Sequence, residues 1–163
     1  NVSRNPLAEK GAAVVTVEDL RWKRRDIKSV ALLAQVLAKQ AAAEAGVAEA
    51  WMHEDGFVTE GSSSTAFIIT GDGEIVTRPL STALLPGITR AAVLRLAEEA
   101  GLRLSERPFS VEEAKGAQEA FYTSASSFVM PVVSIDGRTL GDGRPGPLTR
   151  RLRDLYLEMA RAS

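Results

Sequence analysis

The chain has 163 residues, one domain's worth and enough to bury a sizeable core, and its 20 basic and 21 acidic residues leave a net charge of −1. That balance gives nothing by itself to draw in nucleic acid or a membrane surface, and no apolar run approaches the roughly 20 residues of a membrane span, so a cytoplasmic protein is expected. With no cysteine and one histidine there is no disulfide framework, no thiolate chemistry and a poor ligand set for a transition metal.

The first eleven residues include Arg4, Pro6 and Lys10 with little periodicity and read as an interdomain linker, as if the chain began midway through a longer protein. Ala12 to Val17 is a β-branched run and predicts a strand. A charged stretch with Trp22 follows, Glu18 to Asp26. From about Ser29 to Ala45, Val30, Leu33, Leu37 and Ala41 recur at helical spacing and Gly46 stops the run. Val47 to Met52 and Phe67 to Thr70 read as strands, and the turn Gly71-Asp72-Gly73 makes a hairpin of the latter with Glu74 to Thr77. Pro86 and Gly87 open a helix that runs to about Ala100 and is closed by Gly101. A short strand, Leu102 to Glu106, precedes a small helix over Ser110 to Lys115, where Ser110 and Glu113 have capping-box spacing. Ala120 to Thr123 and Val129 to Ile135 are strands with a turn at Asp136-Gly137. The last helix starts near Pro147, with Leu148, Leu152, Leu155 and Met159 on one face and arginines and acids on the solvated one. This order predicts an α/β (α+β) domain with a mixed, partly antiparallel sheet and flanking helices.

Four junctions carry residues suited to chemistry. Lys28, in Asp26-Ile27-Lys28-Ser29, lies where the charged segment gives way to an apolar helix; its amine is a usable nucleophile if desolvated and otherwise a solvated charge. Glu60 precedes Gly61 and three serines, which by themselves are turn formers; its carboxylate is placed to hold a cationic ring nitrogen. Leu85-Pro86-Gly87-Ile88-Thr89-Arg90 opens a helix whose first N–H groups suit a phosphate, or simply starts the helix. Ser124-Ala125-Ser126-Ser127 is a hydroxyl-rich turn with further donors. A lysine, a carboxylate and two anion-binding turns together make the parts list of a pyridoxal phosphate site. His53, beside Trp51 and Met52, belongs to none of these and reads as a surface or strand-end residue.

DIKS at Asp26 to Ser29, VLAKQ at Val36 to Gln40, VTEGSSS at Val58 to Ser64, GITR at Gly87 to Arg90, and FYTSASS with PVVSIDG at Phe121 to Gly137 resemble D-amino acid aminotransferases, fold type IV enzymes that use pyridoxal 5′-phosphate. The resemblance implies the pseudo-barrel large domain of those enzymes, a cofactor-binding C-terminal domain over residues 12–163, and transfer of an amino group between D-amino acids and 2-oxo acids. It implies Lys28 as the Schiff-base lysine and proton shuttle, and Glu60 as partner of the pyridine nitrogen. Ser63 would lie behind them near the lysine, and Leu85 would pack on the ring. Ile88 and Thr89 would give N–H groups, and Thr89 its hydroxyl, to the phosphate, with Ser124 and Ala125 adding the remaining contacts. Threonine is frequent in the family where Ala125 stands, and lysine where Pro86 stands. A homodimer is implied too, along with a smaller N-terminal domain that supplies a phosphate-binding arginine and most of the grip on the substrate's carboxylate. A branched-chain or amine transaminase, an aminodeoxychorismate lyase-like enzyme, or an inactive fragment of one remain alternatives on the same scaffold.

Overall fold

The computed structural model describes residues 5–163. A short helix, α1 (Pro6–Lys10), is capped by the Asn5 side chain and falls within the stretch read as a linker; Arg4 lies outside the described residues. The remaining elements follow in the order β1 (Ala12–Glu18), α2 (Leu33–Glu44), β2 (Glu49–Glu54), β3 (Phe57–Gly61), β4 (Thr65–Ile69), β5 (Ile75–Thr77), α3 (Ile88–Glu99), β6 (Leu104–Glu106), α4 (Val111–Lys115), β7 (Glu119–Ser124), β8 (Phe128–Ile135), β9 (Arg138–Thr139) and α5 (Pro147–Ala162).

All nine strands join one mixed sheet in the order β3-β2-β1-β8-β7-β4-β5-β6, with β9 paired to β8. β1 is parallel to both its neighbours, β5 and β6 are parallel, and the other pairs are antiparallel. The alternation of side chains along each strand divides the core in two. Ala66, Ile68, Ala120 and Tyr122 point to a face where Trp51 and Val58, from the other end of the sheet, meet Val76 and Phe109 in one cluster. Strands that far apart in the sheet share a cluster because the sheet curls into a half-barrel. Phe67, Ile69, Phe121 and Val129 point to the opposite face, covered by Val93 and Ala97 of α3 and Leu152 of α5. The Phe67 and Phe121 rings stack there with centroids 4.5 Å apart.

The expected strands and helices are present with shifted ends, and four features differ. The first is two additional strands, the short β9 beyond the Asp136-Gly137 turn and β3, which is joined to β2 by Asp55-Gly56 with φ of 53° and 80°, the left-handed pair of a tight hairpin turn. In the second, α2 begins at Leu33 rather than Ser29; the Ser29 hydroxyl accepts the Ala31 N–H and starts a local turn instead. The helix also buries its alanine side, Ala38 and Ala42, against Ala50 and Met52, because small side chains let it approach the sheet closely. Its larger residues face out, with Leu33 72% and the preceding Val30 98% exposed.

Third, the capping box of α4 is half made. Ser110 accepts the Glu113 N–H at 3.0 Å, but the Glu113 carboxylate turns to Arg107, at 2.9 and 2.6 Å. Fourth, one arginine expected on the solvated side of α5, Arg153, is buried. No helix among the described residues is long and apolar enough to cross a membrane.

Candidate active site

Glu60 lies near the end of β3 and is buried. Arg21 Nη1 donates to its Oε1 at 2.5 Å, and the Leu85 N–H donates to the same oxygen at 3.1 Å. The latter bond brings the glutamate junction and the Pro86-Gly87 junction together. Sequence reasoning missed Arg21, because a run of charges reads as solvent-facing, yet its side chain is only 6% exposed. It also serves Asp19, through Nε at 3.0 Å and Nη2 at 2.8 Å, so one guanidinium is shared by two buried carboxylates.

The sharing is unequal. Burial pushes the Asp19 carboxyl up, but Arg21 and the Thr59 hydroxyl, at 2.6 Å, outweigh it and hold Asp19 below its usual value. Burial pushes Glu60 up, and with one guanidinium N–H and one amide as compensation it stays raised. Burial alone would lower Arg21, but Asp19 and Glu60 together raise it and keep it charged. The Arg21 and Leu85 bonds to Glu60 both go to Oε1, and Glu60 Oε2 accepts no hydrogen bond among the described residues.

The turn after Glu60 is tied to Glu49 at the start of β2. That buried carboxylate accepts from the Ser62 hydroxyl, the Ser64 hydroxyl at 2.9 Å, and the Ser63 amide and hydroxyl at 3.3 and 3.4 Å. Ser63 thus supports the turn through Glu49, and no hydrogen bond joins it to Lys28. Burial, with the Glu49 charge added, pushes the Tyr122 phenol up to about 12.

Helix α3 begins at Gly87 with no side chain capping it, and the N–H groups of Ile88 and Thr89 find no acceptor among the described residues. The Ile88 side chain is 90% exposed while Thr89 is buried. Thr65 lies beside Gly87 and pairs with Thr123 in the sheet, so the helix start adjoins the β7 end that leads to Ser124. In the β7–β8 turn, Ser124 Oγ accepts the Ser127 N–H at 3.0 Å. The Ala125 and Ser126 amides have no acceptor among the described residues.

Lys28 lies in the irregular segment before α2 and is exposed, and no hydrogen bond or ion pair joins it to Glu60. Its segment is nonetheless anchored to the same loop as Glu60, since the Arg25 N–H donates to the Thr82 carbonyl at 2.8 Å and Arg21 Nη2 to the Ala83 carbonyl at 3.3 Å. A cleft of about 470 Å³ lined by Leu20, Arg21, Trp22, Ser29, Leu32 and Leu33 runs between the lysine's neighbours and Arg21. His53 stands next to last in β2, half-buried, and its carbonyl accepts the Asp19 N–H.

The chain matches the amino-transferase class IV family over residues 3–135. It belongs to that family. It is 46% identical over 145 residues to a D-alanine aminotransferase of Bacillus licheniformis and 44% identical over 146 residues to one of Staphylococcus aureus, covering 89% and 90% of this chain and 51% of each relative. Among solved structures, it resembles the branched-chain amino acid aminotransferase of Escherichia coli (TM-score 0.87, 28% identity, 95% of this chain and 53% of that one). It also resembles that of Thermobaculum terrenum in its PLP-form (TM-score 0.82, 32% identity, 91% and 50%). The curled sheet with its flanking helices is thus the fold type IV architecture. The chain spans about half the length of the curated relatives it matches.

Proposed function

We propose that this chain is the cofactor-binding portion of a pyridoxal phosphate-dependent aminotransferase that moves amino groups between D-amino acids and 2-oxo acids. The observation that carries the reading is Glu60, a buried carboxylate only partly compensated by Arg21 and hydrogen-bonded to the loop that opens the uncapped helix α3. A cationic ring nitrogen and a phosphate are the two ends of one ligand that answers both needs. When bound, pyridoxal phosphate supplies an electron sink for the pair left at the substrate's α-carbon.

The protein's residues supply the rest. Glu60 holds a proton at the ring nitrogen, and Arg21 keeps Glu60 aimed. Leu85 packs on the ring. The Ile88 and Thr89 amides, the Thr89 and Ser124 hydroxyls and the Ala125 amide bind the phosphate. Lys28 Nζ would hold the cofactor and, once the substrate's amine displaces it, the freed amine would take the α-proton and return it.

The exposed apolar residues Leu20, Trp22, Val30, Leu32, Leu33 and Val36 border the cleft and α2. An apolar surface of this kind fits burial against an N-terminal domain of the same protein and a second subunit of a homodimer.

The greater identity to the D-alanine enzymes favours D-alanine over branched-chain substrates, which the structural likeness keeps as a second reading. The test is reduction with borohydride in the presence of pyridoxal phosphate, followed by peptide mapping, and an assay of D-alanine against L-leucine with 2-oxoglutarate. Covalent label on Lys28 and turnover of D-alanine are expected. Label on another residue would overturn the assignment of the lysine, and preference for L-leucine the substrate class.

A further inference from the structure

The turn joining β7 to β8 is gripped from behind by α5. Phe128, the first residue of β8, has φ of 59°, a left-handed conformation that bulky residues rarely adopt. The carbonyls on either side of it, of Ser127 and Val129, both accept from Arg153 Nη1, at 3.1 and 2.7 Å. Three residues further along the same face of α5, Tyr156 stacks on the Phe128 ring with centroids 5.3 Å apart and planes 29° from parallel.

Arg153 is buried and forms no ion pair among the described residues. A buried cation satisfied only by two carbonyls retains charge for a nearby anion, and this one sits directly behind the Ser124–Ser127 turn. The turn's entry is fixed by the pairing of Thr123 with Thr65, and its exit by the two carbonyls that flank Phe128. With both ends fixed, the free amides of Ala125 and Ser126 are held ready rather than ordered on binding.

We propose that Arg153, assisted by the Phe128–Tyr156 stack, is a positioning residue that keeps the Ser124–Ser127 turn in its anion-receiving form and sets the affinity for a phosphate group it does not touch. The proposal rests on the pyridoxal phosphate reading, which assigns this turn to the phosphate.

The experiment titrates the whole protein with inorganic phosphate, pyridoxal phosphate and pyridoxal, following the Ala125 and Ser126 amide resonances and the cofactor's absorbance. Arg153→Leu and Arg153→Gln should weaken both phosphate-bearing ligands about tenfold and change pyridoxal, which lacks the phosphate, less than about twofold. Phe128→Gly removes the ring and its stack on Tyr156 but accepts the left-handed backbone, so it should show the same selective weakening to a smaller degree than the loss of Arg153. If Arg153→Leu does not fold, Arg153→Lys, which keeps the charge with a single donor group, should show the same selective weakening to a smaller degree.

Equal weakening of pyridoxal and pyridoxal phosphate would mean a structural role alone and would overturn the proposal, as would no weakening of either. Parent amides at Ala125 and Ser126 that ignore phosphate would overturn it as well, whatever is found at Lys28. A phosphate response that depends on Arg153, without borohydride label on Lys28, would leave the clamp standing and remove the proposed function.

Discussion

Replacing Arg21 with glutamine tests the account of the site most directly, because it strips one guanidinium from two buried carboxylates at once. The side chains of Arg21, Asp19 and Glu60 are 6%, 0% and 7% exposed, so water cannot take over. Removing one partner of a buried ion pair typically costs about 3–5 kcal/mol. Some compensation survives, from Arg25 at 3.5 Å and Thr59 for Asp19, and from the Leu85 amide for Glu60, which argues for the lower end, about 3 kcal/mol. In a domain of this length that is roughly a 10 °C fall in the melting temperature. The loss should also depend on pH. Without Arg21, burial is left as the largest influence on both carboxyls and should carry them above their unfolded pKa values; such groups stabilise below the unfolded pKa and lose that contribution as pH rises through the folded one. The deficit should therefore be largest near pH 7 and shrink by about half near pH 4. Urea unfolding of both proteins at several pH values measures it. A deficit below about 1 kcal/mol, or one that does not change with pH, would refute the shared-guanidinium account.

Other expectations follow from single contacts. Glu60→Gln cannot ionise, so its stability relative to the parent should rise as pH increases above 4.5, because the parent's raised carboxyl loses its contribution in that window; melting curves at pH 4 and 7 that show the opposite trend would contradict the direction assigned to Glu60. Glu49→Ala leaves the hydroxyls of Ser62 and Ser64 without their acceptor and should cost about 2–4 kcal/mol with faster amide exchange at Ser63; a loss under about 0.5 kcal/mol would show that the serine turn holds itself. Gly146→Ala drives a methyl group into the Glu119 carboxylate, which accepts the Leu148 and Thr149 N–H groups at the start of α5 at 3.3 and 2.9 Å, and should cost about 1–3 kcal/mol in thermal unfolding. An unchanged melting temperature would show that the Glu119 cap is dispensable.

Much of this was legible in the residues, and the failures have physical causes. Strands such as β1 and β8 announce themselves by β-branched content, and α3 by Pro86-Gly87 before and Gly101 after, because these are local preferences of the backbone. Asp55-Gly56 is an equally local signal for the β2–β3 hairpin, although the strand after it, Phe57–Gly61, has only Val58 and Thr59 as β-branched residues to announce it. The buried face of α2 was not legible, since periodicity reports a stripe but not which stripe the chain covers with its own atoms. There the alanines pack and the leucines wait. Asp19, Arg21 and Arg25 defeat sequence reading for a different reason. A charged run is normally solvated, and only the third dimension shows that these charges neutralise one another beneath the surface. Of the residues whose motifs suit chemistry, Glu60 and Leu85 are in contact, Thr89 and Ser124 sit at adjoining element ends, and Lys28 stands exposed on the segment alongside.

The placement of β1 has a kinetic meaning. It lies between β2 and β8, parallel to both, and its link to β8 is sealed by Thr16, whose N–H and hydroxyl both donate to Asp136, 120 residues away. Parallel pairing over such a separation must close a very long loop before any contact repays it, so it belongs to the slow part of folding. The β7–β8 hairpin, by contrast, spans a four-residue interval and forms early. When the whole chain refolds, the β7–β8 hairpin would thus form before β1 docks against β8. Until then, the β8 edge is an unpaired row of backbone groups, and the molecule is at its most vulnerable to aggregation.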